Sequence, residues 1–453
     1  MKVHFIAIGG SAMHNLALAL HHKGYVVTGS DDEVFEPSKG RLKKHGLLPE
    51  KMGWDANSIT QELDAVILGM HARADNPELL RAQELGLKIY SYPEYIYEQT
   101  KNKTRVVIGG SHGKTSITAM ILHVLNKCQV DADYMVGAQL EGFDTMVKLT
   151  HESSVVILEG DEYLSSPIDR RPKFHLYKPT IALLSGIAWD HVNVFPTFDN
   201  YVDQFRIFVD LIEKGGTLIY CEDDKEVKAV AIESQNQIKK MPYSVPEHVT
   251  EKGITSLIVN GQRVPLKVFG NHNLMNLNGA RLICNSIGVN DDQFYTAIQD
   301  FKGASKRLEL IGEGDSTSIY KDFAHSPSKL KATTNAVKEQ FEDRLLVACM
   351  ELHTFSSLNQ KFLAEYEGSM NAADEAVVYF DPKTLAHKKL PPLSDKEVTA
   401  AFNRNDLRVI TSSDELVRFL KSQTWENKNL LLMSSGNFGG LVLEELASEL
   451  ISE

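Results

Sequence analysis

Short apolar runs alternate along the chain with stretches whose apolar positions recur at helical spacing. Residues 3–8 predict a strand, Gly9-Gly10-Ser11 a turn, and Met13, Leu16, Ala17 and Leu20 the buried face of a helix ending near Gly24. A second strand, residues 25–29, leads into Ser30-Asp31-Asp32. Strand, turn, helix and strand within about thirty residues form the βαβ unit of a parallel sheet. Ala65–Leu68 predicts a further strand, and residues 76–85 a helix with Pro77 at an early position. The polar residues 99–104 predict a linker.

A second α/β layout follows. Residues 105–108 predict a β-branched strand, and Ile117, Met120, Ile121, Val124 and Leu125 the apolar face of the next helix. Residues 155–158 and Ile181–Leu184 predict buried strands. Residues 218–269 predict mixed short strands and turns, residues 271–284 a helix, and residues 302–306 a second linker. The last third repeats the rhythm, with strands at 318–320, 345–349, 376–380 and 430–433 and a loop-rich insertion at 386–405.

The 453-residue length suggests about three domains. With 43% hydrophobic and 24% charged residues, the chain has the composition of a globular protein. A net charge of −12 argues against a general nucleic-acid binder but leaves room for a local phosphate pocket. Cys128, Cys221, Cys284 and Cys349 lie far apart, so neither a zinc site nor a disulfide framework is expected. No apolar run reaches the ~18–20 residues of a membrane span, and residues 1–10 lack the pattern of a signal peptide. The expected location is the cytoplasm.

The strongest chemical signal is Gly110-Ser111-His112-Gly113-Lys114-Thr115, between a buried strand and an amphipathic helix. Such a loop turns backbone N–H groups toward an anion and adds the helix N-terminus. Lys114 would supply charge to β/γ phosphates and Thr115 a hydroxyl to Mg²⁺. A full Walker-type loop has a glycine five residues before Gly113, where this chain has Ile108, so the loop is a shortened variant. Glu159-Gly160-Asp161-Glu162 follows a buried strand, where carboxylates are placed for Mg²⁺ or its waters. Trp189-Asp190-His191 follows another strand, although a lone histidine is more often structural.

Asn273 and Asn276 share a helix face and fit either an adenine edge or a helix cap, the latter favoured locally. Arg307 and Asp322-Phe323-Ala324-His325 open the last third, where Arg307 could grip phosphate or form a surface salt bridge, the latter favoured locally. The turn Gly9-Gly10-Ser11-Ala12-Met13 departs from the dinucleotide fingerprint, having Ser11 and His14 where glycines belong. Asp31 lies at the end of the second strand, so a nucleotide diphosphate remains compatible.

In this order, residues 110–115, 159–162, 190–191, 272–276, 306–309 and 322–325 resemble the Mur ligase family, over nearly the whole chain. These are ATP-dependent amide-bond ligases of peptidoglycan assembly. The resemblance implies a three-domain α/β architecture: an N-terminal Rossmann-like domain (1–102) for a UDP-sugar, a central P-loop ATPase domain (103–304), and a C-terminal Rossmann-like domain (305–453) for the incoming amino acid or peptide. It implies ATP and Mg²⁺ as cofactors, with the metal held by Thr115, Glu159 and His191. Gly110, Ser111, His112, Gly113, Lys114 and Thr115 would hold the phosphates, Arg307 would reach them, Asp322 would take the ribose, and Asn273 and Asn276 the adenine. Catalysis is assigned to Lys114, Glu159, His191 and Arg307. Gly10, Ser11, Ala12, Met13, Asp31 and His71 would bind the UDP-sugar, and His325, His353, Ser435 and Asn437 the acceptor.

Within the family, residues 33–37, 173–177, 190–195 and 433–440 resemble the branch that joins L-alanyl-γ-D-glutamyl-meso-diaminopimelate to UDP-N-acetylmuramic acid in recycling. The alternative is the branch that adds L-alanine in biosynthesis. Both form an acyl phosphate on the lactyl carboxylate. The absence of lysine from 192 to 213 fits these two branches, because other members carry a carbamoylated lysine there. Ser111 and Ser116 stand where threonine is usual, Gly160 where alanine is usual, and residues 351–356 lack an arginine often present. The expected partners are these small molecules, with no nucleic acid and no membrane, and the expected state is a monomer or weak homodimer. Competing readings are a nicotinamide oxidoreductase, disfavoured by the broken glycine fingerprint, and a nucleotide-binding regulator without chemistry, disfavoured by Lys114, Glu159, His191 and Arg307.

Overall fold

The computed structural model describes residues 1–140, 142–190 and 194–452. The chain forms two compact units: the first is Met1–Ile187, Phe198–Tyr243 and Gly279–Asp291, the second Ala188–Thr197, Ser244–Asn278 and Asp292–Glu453.

Among the described residues, the first unit holds two sheets. One is four-stranded and parallel, in the order Val26–Ser30, Lys2–Ile6, Ala65–Leu68, Ile89–Ser91. The other is seven-stranded: Lys239–Tyr243, Thr217–Cys221, Ile181–Leu184, Thr104–Gly109, Val155–Glu159, Asp133–Met135, Val147–Lys148. It is parallel except for its last pair. Its central strands read as continuous apolar runs because helices cover both faces of a parallel sheet. Val106, Val107, Ile108, Ile157, Leu158, Ala182 and Leu183 are all fully buried. Each large aliphatic side chain so buried contributes about 1.5–3 kcal/mol.

The second unit holds a six-stranded sheet ordered Glu309–Glu313, Ser318–Asp322, Lys428–Met433, Leu345–Glu351, Glu375–Tyr379, Arg408–Ile410, antiparallel only in its first pair. It also holds a three-stranded antiparallel sheet, His248–Glu251, Ile254–Val259 and Gln262–Pro265. The expected α/β architecture, dominated by parallel sheets, is present.

Three expectations need correction. The stretch 218–269, read as strands and turns, contains a helix, Lys225–Glu233, which Asp224 caps by accepting from the Glu226 and Val227 N–H groups. The expected loop 386–405 carries the helix Asp395–Phe402, opened by a reciprocal capping box of Ser394 and Glu397. The linker expected at 99–104 shrinks to three residues, because the helix Tyr92–Thr100 and the strand Thr104–Gly109 close in from either side. The buried Arg105 side chain holds this junction, donating to the carbonyls of Thr100, Lys101, Lys103, Tyr177 and Lys178.

Candidate active site

The phosphate loop leaves the carboxyl end of the central strand Thr104–Gly109 and enters the helix Lys114–Lys127. Gly110 and Gly113 have φ of 135° and 79°, which a side chain would strain. The loop is tied down by the turn after the neighbouring strand. Ser111 N–H donates to Gly186 O at 2.9 Å, and the Ser185 hydroxyl donates to the carbonyls of Gly109 and His112. A Cβ on Gly186 would stand 2.2 Å from the His112 ring. The first N–H groups of the helix have no intrahelical partner, an arrangement suited to an anion.

Carboxylates from the strand Val155–Glu159 and the turn after it face this loop. The Lys114 ammonium donates to Glu162 Oε2 at 2.7 Å and to the Gly110 carbonyl, and the Tyr201 hydroxyl donates to Glu162 Oε1 at 3.0 Å. Burial opposes the charge of Lys114, but Glu162, Asp161 and Glu159 together outweigh it and hold its pKa above the ordinary value. Desolvation would raise Asp161, yet Lys173 and Lys114 hold it down at about 2. Thr115 Oγ1 donates to Glu159 Oε1 at 2.7 Å, and Gly137 N–H donates to Glu159 Oε2 at 2.8 Å. Thr115 and Glu159 are hard oxygen donors of the kind Mg²⁺ takes, and they leave its other positions to phosphate and water. Among the described residues no group of three His, Cys, Asp or Glu side chains forms a closed metal cage. The residues fit a metal that reaches the protein mainly through its nucleotide. His191, the third expected ligand, lies outside the described residues.

In the four-stranded sheet, Gly10 precedes the helix Ser11–His22, with Ser11 and Ala12 exposed at its start and Met13 buried in the core. Asp31 Oδ2 accepts the Gly9 N–H at 2.6 Å and Oδ1 the Asp32 N–H at 3.0 Å. Burial raises the Asp31 pKa. Asp31 therefore braces the glycine turn. His71 is exposed on the stretch after the strand Ala65–Leu68.

In the second unit, Asn273 donates to Phe269 O at 3.0 Å. This is not the capping bond favoured from local sequence, since its amide donates where a cap would accept. Asn276 is buried one turn along. The Arg307 guanidinium stacks 4.7 Å from the Phe323 ring centre, and among the described residues no carboxylate forms an ion pair with it. The surface salt bridge favoured locally is absent there. Asp322 is buried and accepts from the Leu308 and Ala324 N–H groups at 2.5 and 2.6 Å. Burial raises its pKa, against the pull of Arg307. His325 pairs through Nδ1 with Phe323 O at 2.8 Å and packs edge-on to that ring. Burial, with Lys329 nearby, lowers its pKa to about 4, against the pull of Asp190.

At the carboxyl ends of the adjacent strands Leu345–Glu351 and Lys428–Met433, Glu351 Oε2 accepts from the Ser434 hydroxyl and from Phe438 N–H at 2.8 Å. His353 Nδ1 stands 3.5 Å from Glu351 Oε1. Asn437 is exposed and accepts the Gly440 N–H at 3.0 Å. Gly137, Ser185, Gly186, Tyr201 and Glu351 were not anticipated as site residues. Ser185 and Gly186 had a usable signal, since they directly follow a buried parallel strand, where α/β sheets bind ligands.

Family models match almost end to end: "Mur ligase family, catalytic domain" over residues 2–104, "Mur ligase middle domain" over 108–284, and "Mur ligase, glutamate ligase domain" over 306–436. A UDP-N-acetylmuramate–L-alanine ligase from Caldicellulosiruptor bescii is 31% identical over 390 residues, 83% of each sequence. The fold is similar to a murein peptide ligase from Psychrobacter arcticus, with TM-score 0.65 and 24% identity over 100% of this chain and 98% of that one. It is also similar to the UDP-N-acetylmuramate–alanine ligase of Thermotoga maritima, with TM-score 0.69 and 20% identity over 100% and 98%.

Proposed function

This chain belongs to the Mur ligase family, and from that premise we propose that it joins L-alanine to the lactyl carboxylate of UDP-N-acetylmuramic acid. The family makes it an ATP-dependent, ADP-forming ligase of peptidoglycan synthesis that uses Mg²⁺. The arrangement that carries the reading is Lys114, Thr115 and Glu159 gathered at one phosphate loop. The choice of L-alanine is supported by the curated relatives that bear that activity in their names.

Mg·ATP bound at this loop supplies the phosphoryl group that turns the carboxylate into an acyl phosphate, which the acceptor amine opens as phosphate leaves. The protein's part is positioning and charge neutralisation. Lys114, held charged between Glu162 and Asp161, presents its ammonium beside the loop N–H groups. Thr115 and Glu159 would hold the metal. Arg307, whose guanidinium packs on Phe323 and donates to Lys306 O rather than to a carboxylate, is proposed to meet the nucleotide phosphates, with Asn273 and Asn276 on the adenine and Asp322 on the ribose. The Gly9–Ser11 turn braced by Asp31 is proposed to hold the UDP part, with His71 nearby in sequence. We place the reaction in the cytoplasm, where ATP and nucleotide sugars are. No helix among the described residues is long and apolar enough to cross a membrane. The domain limits 1–102, 103–304 and 305–453 and a monomer or weak homodimer remain part of the proposal.

A second reading takes the murein tripeptide as acceptor. It is favoured by the resemblance of residues 433–440, which include the loop anchored on Glu351, to the recycling branch. One assay separates the two. ADP release and the product mass are measured with UDP-N-acetylmuramic acid, ATP and Mg²⁺, with L-alanine or tripeptide as acceptor. A product heavier by one alanyl residue supports the first reading, and one heavier by the tripeptide replaces it with the second.

A further inference from the structure

The helix Ser11–His22 leaves the turn proposed to hold the UDP part and carries a fully buried asparagine, Asn15. A buried amide persists where its hydrogen bonds are met, and those of Asn15 tie the turn to the seven-stranded sheet. Its Nδ2 donates to the Ser11 carbonyl at 2.8 Å, in the first turn of the helix. Its Oδ1 accepts the Met146 N–H at 2.9 Å, just ahead of the edge strand Val147–Lys148. The Met146 carbonyl accepts the Val136 N–H at 2.9 Å, and the next N–H, that of Gly137, donates to Glu159 Oε2 at 2.8 Å. The other oxygen of Glu159 holds the Thr115 hydroxyl. A run of hydrogen bonds, interrupted only by the Val136–Gly137 peptide, thus leads from the glycine turn to the proposed metal ligands. It has no slack at Gly137, where a Cβ would stand 2.7 Å from Glu159 Oε1. A second tie runs beside it. The Arg41 guanidinium donates to Gln139 Oε1 at 3.0 Å, and the Gln139 amide donates in turn to Phe143 O. His14, buried next to Asn15, places Nδ1 3.0 Å from both Gly10 O and Ser38 Oγ, so the helix Ser38–Lys44 that carries Arg41 is fixed to the same turn.

We propose that Asn15 is a positioning residue that couples the two substrate sites, so that UDP-N-acetylmuramic acid at the glycine turn and Mg·ATP at Thr115 and Glu159 each tighten the binding of the other. This deepens the ligase reading above and rests on it. A ligand on the turn fixes Ser11 and with it the Asn15 amide, Asn15 fixes Met146, and the Val136–Gly137 stretch then holds the Glu159 carboxylate in one orientation. The ordering brought about by the first ligand need not be repeated for the second. Linkage makes the effect equal in both directions. Asn15 is wholly buried, so it acts through the loop and not by touching either ligand.

The test is calorimetric titration of the full chain, without acceptor, using UDP-N-acetylmuramic acid and a non-hydrolysable ATP analogue with Mg²⁺. Each is titrated alone and with the other saturating. In the wild type each ligand should lower the Kd of the other by the same factor, about fivefold or more. In Asn15→Ala that factor should fall below about twofold. Arg41→Met removes only the tie to Gln139, at a half-buried site, and should lower the factor in part. Melting temperatures show whether each variant is folded. Independent binding of the two ligands in the wild type overturns the inference and leaves the ligase reading intact. An unchanged factor in Asn15→Ala, or in Arg41→Met should Asn15→Ala not fold, overturns it as well. So do affinities that fall with the factor intact, since that marks a merely structural role. A wild type to which either ligand fails to bind overturns the ligase reading and this inference with it.

Discussion

The Lys114 ammonium lies 2.7 Å from the Glu162 carboxylate, and the Tyr201 hydroxyl grips that carboxylate from the other side at 3.0 Å. The loop lysine is thus preset and charged before nucleotide arrives. Lys114→Ala should lower ligation by about a hundredfold or more, the scale of removing one donor from a developing charge. It should leave UDP-N-acetylmuramic acid binding nearly unchanged, because the turn at Gly9 is built by other residues. Calorimetric titration of the variant checks this, and lost UDP-sugar affinity would contradict the division of labour.

Glu159 receives both the Thr115 hydroxyl and the Gly137 N–H. Glu159→Gln can keep an oxygen for one of these donors while removing the charge. The Mg²⁺ concentration for half-maximal ADP release should rise at least about tenfold. An unchanged Mg²⁺ titration would exclude Glu159 as a metal ligand.

Gly186→Ala places a methyl group 2.2 Å from the His112 ring. The ring must swing away, taking with it a loop whose Ser111 N–H bonds to Gly186. Overpacking of this kind costs about 1–3 kcal/mol, so nucleotide affinity should fall about tenfold. Fluorescence titration with a labelled ATP analogue reads this directly.

How much of this was legible in the sequence depends on how local each feature is. Ala65–Leu68 and Ile181–Leu184 were bounded correctly because buried parallel strands are short uninterrupted apolar runs. The phosphate loop was legible because its glycines, lysine and threonine are contiguous. The helix Lys225–Glu233 was missed because only Val227, Val230 and Ala231 are buried and its β-branched residues suit a strand equally well. Gly137 and Tyr201 were invisible as site residues because they reach the loop only through folding, from separate segments. Arg307 and Asn273 show the reverse case. Local sequence favoured a salt bridge and a cap, and the fold gave one a ring to stack on and the other a carbonyl to bond.

His325 is held neutral, with its pKa lowered to about 4 by burial and by Lys329 against the pull of Asp190. An ordinary histidine titrates near about 6.5. The unfolded chain therefore takes up a proton at a pH where the folded chain does not. The contribution of His325 to stability is full above about 6.5, falls as the pH drops toward about 4, and levels off below that. Denaturant titrations between pH 7 and 4 should show a shallower loss for His325→Gln than for the wild type. Parallel curves would place the acid sensitivity elsewhere.

The most direct test of the whole account is a crystal structure with a non-hydrolysable ATP analogue and Mg²⁺. The account predicts the β and γ phosphates against the N–H groups of residues 110–115, with the metal at Thr115 and Glu159. A triphosphate bound anywhere else would contradict it.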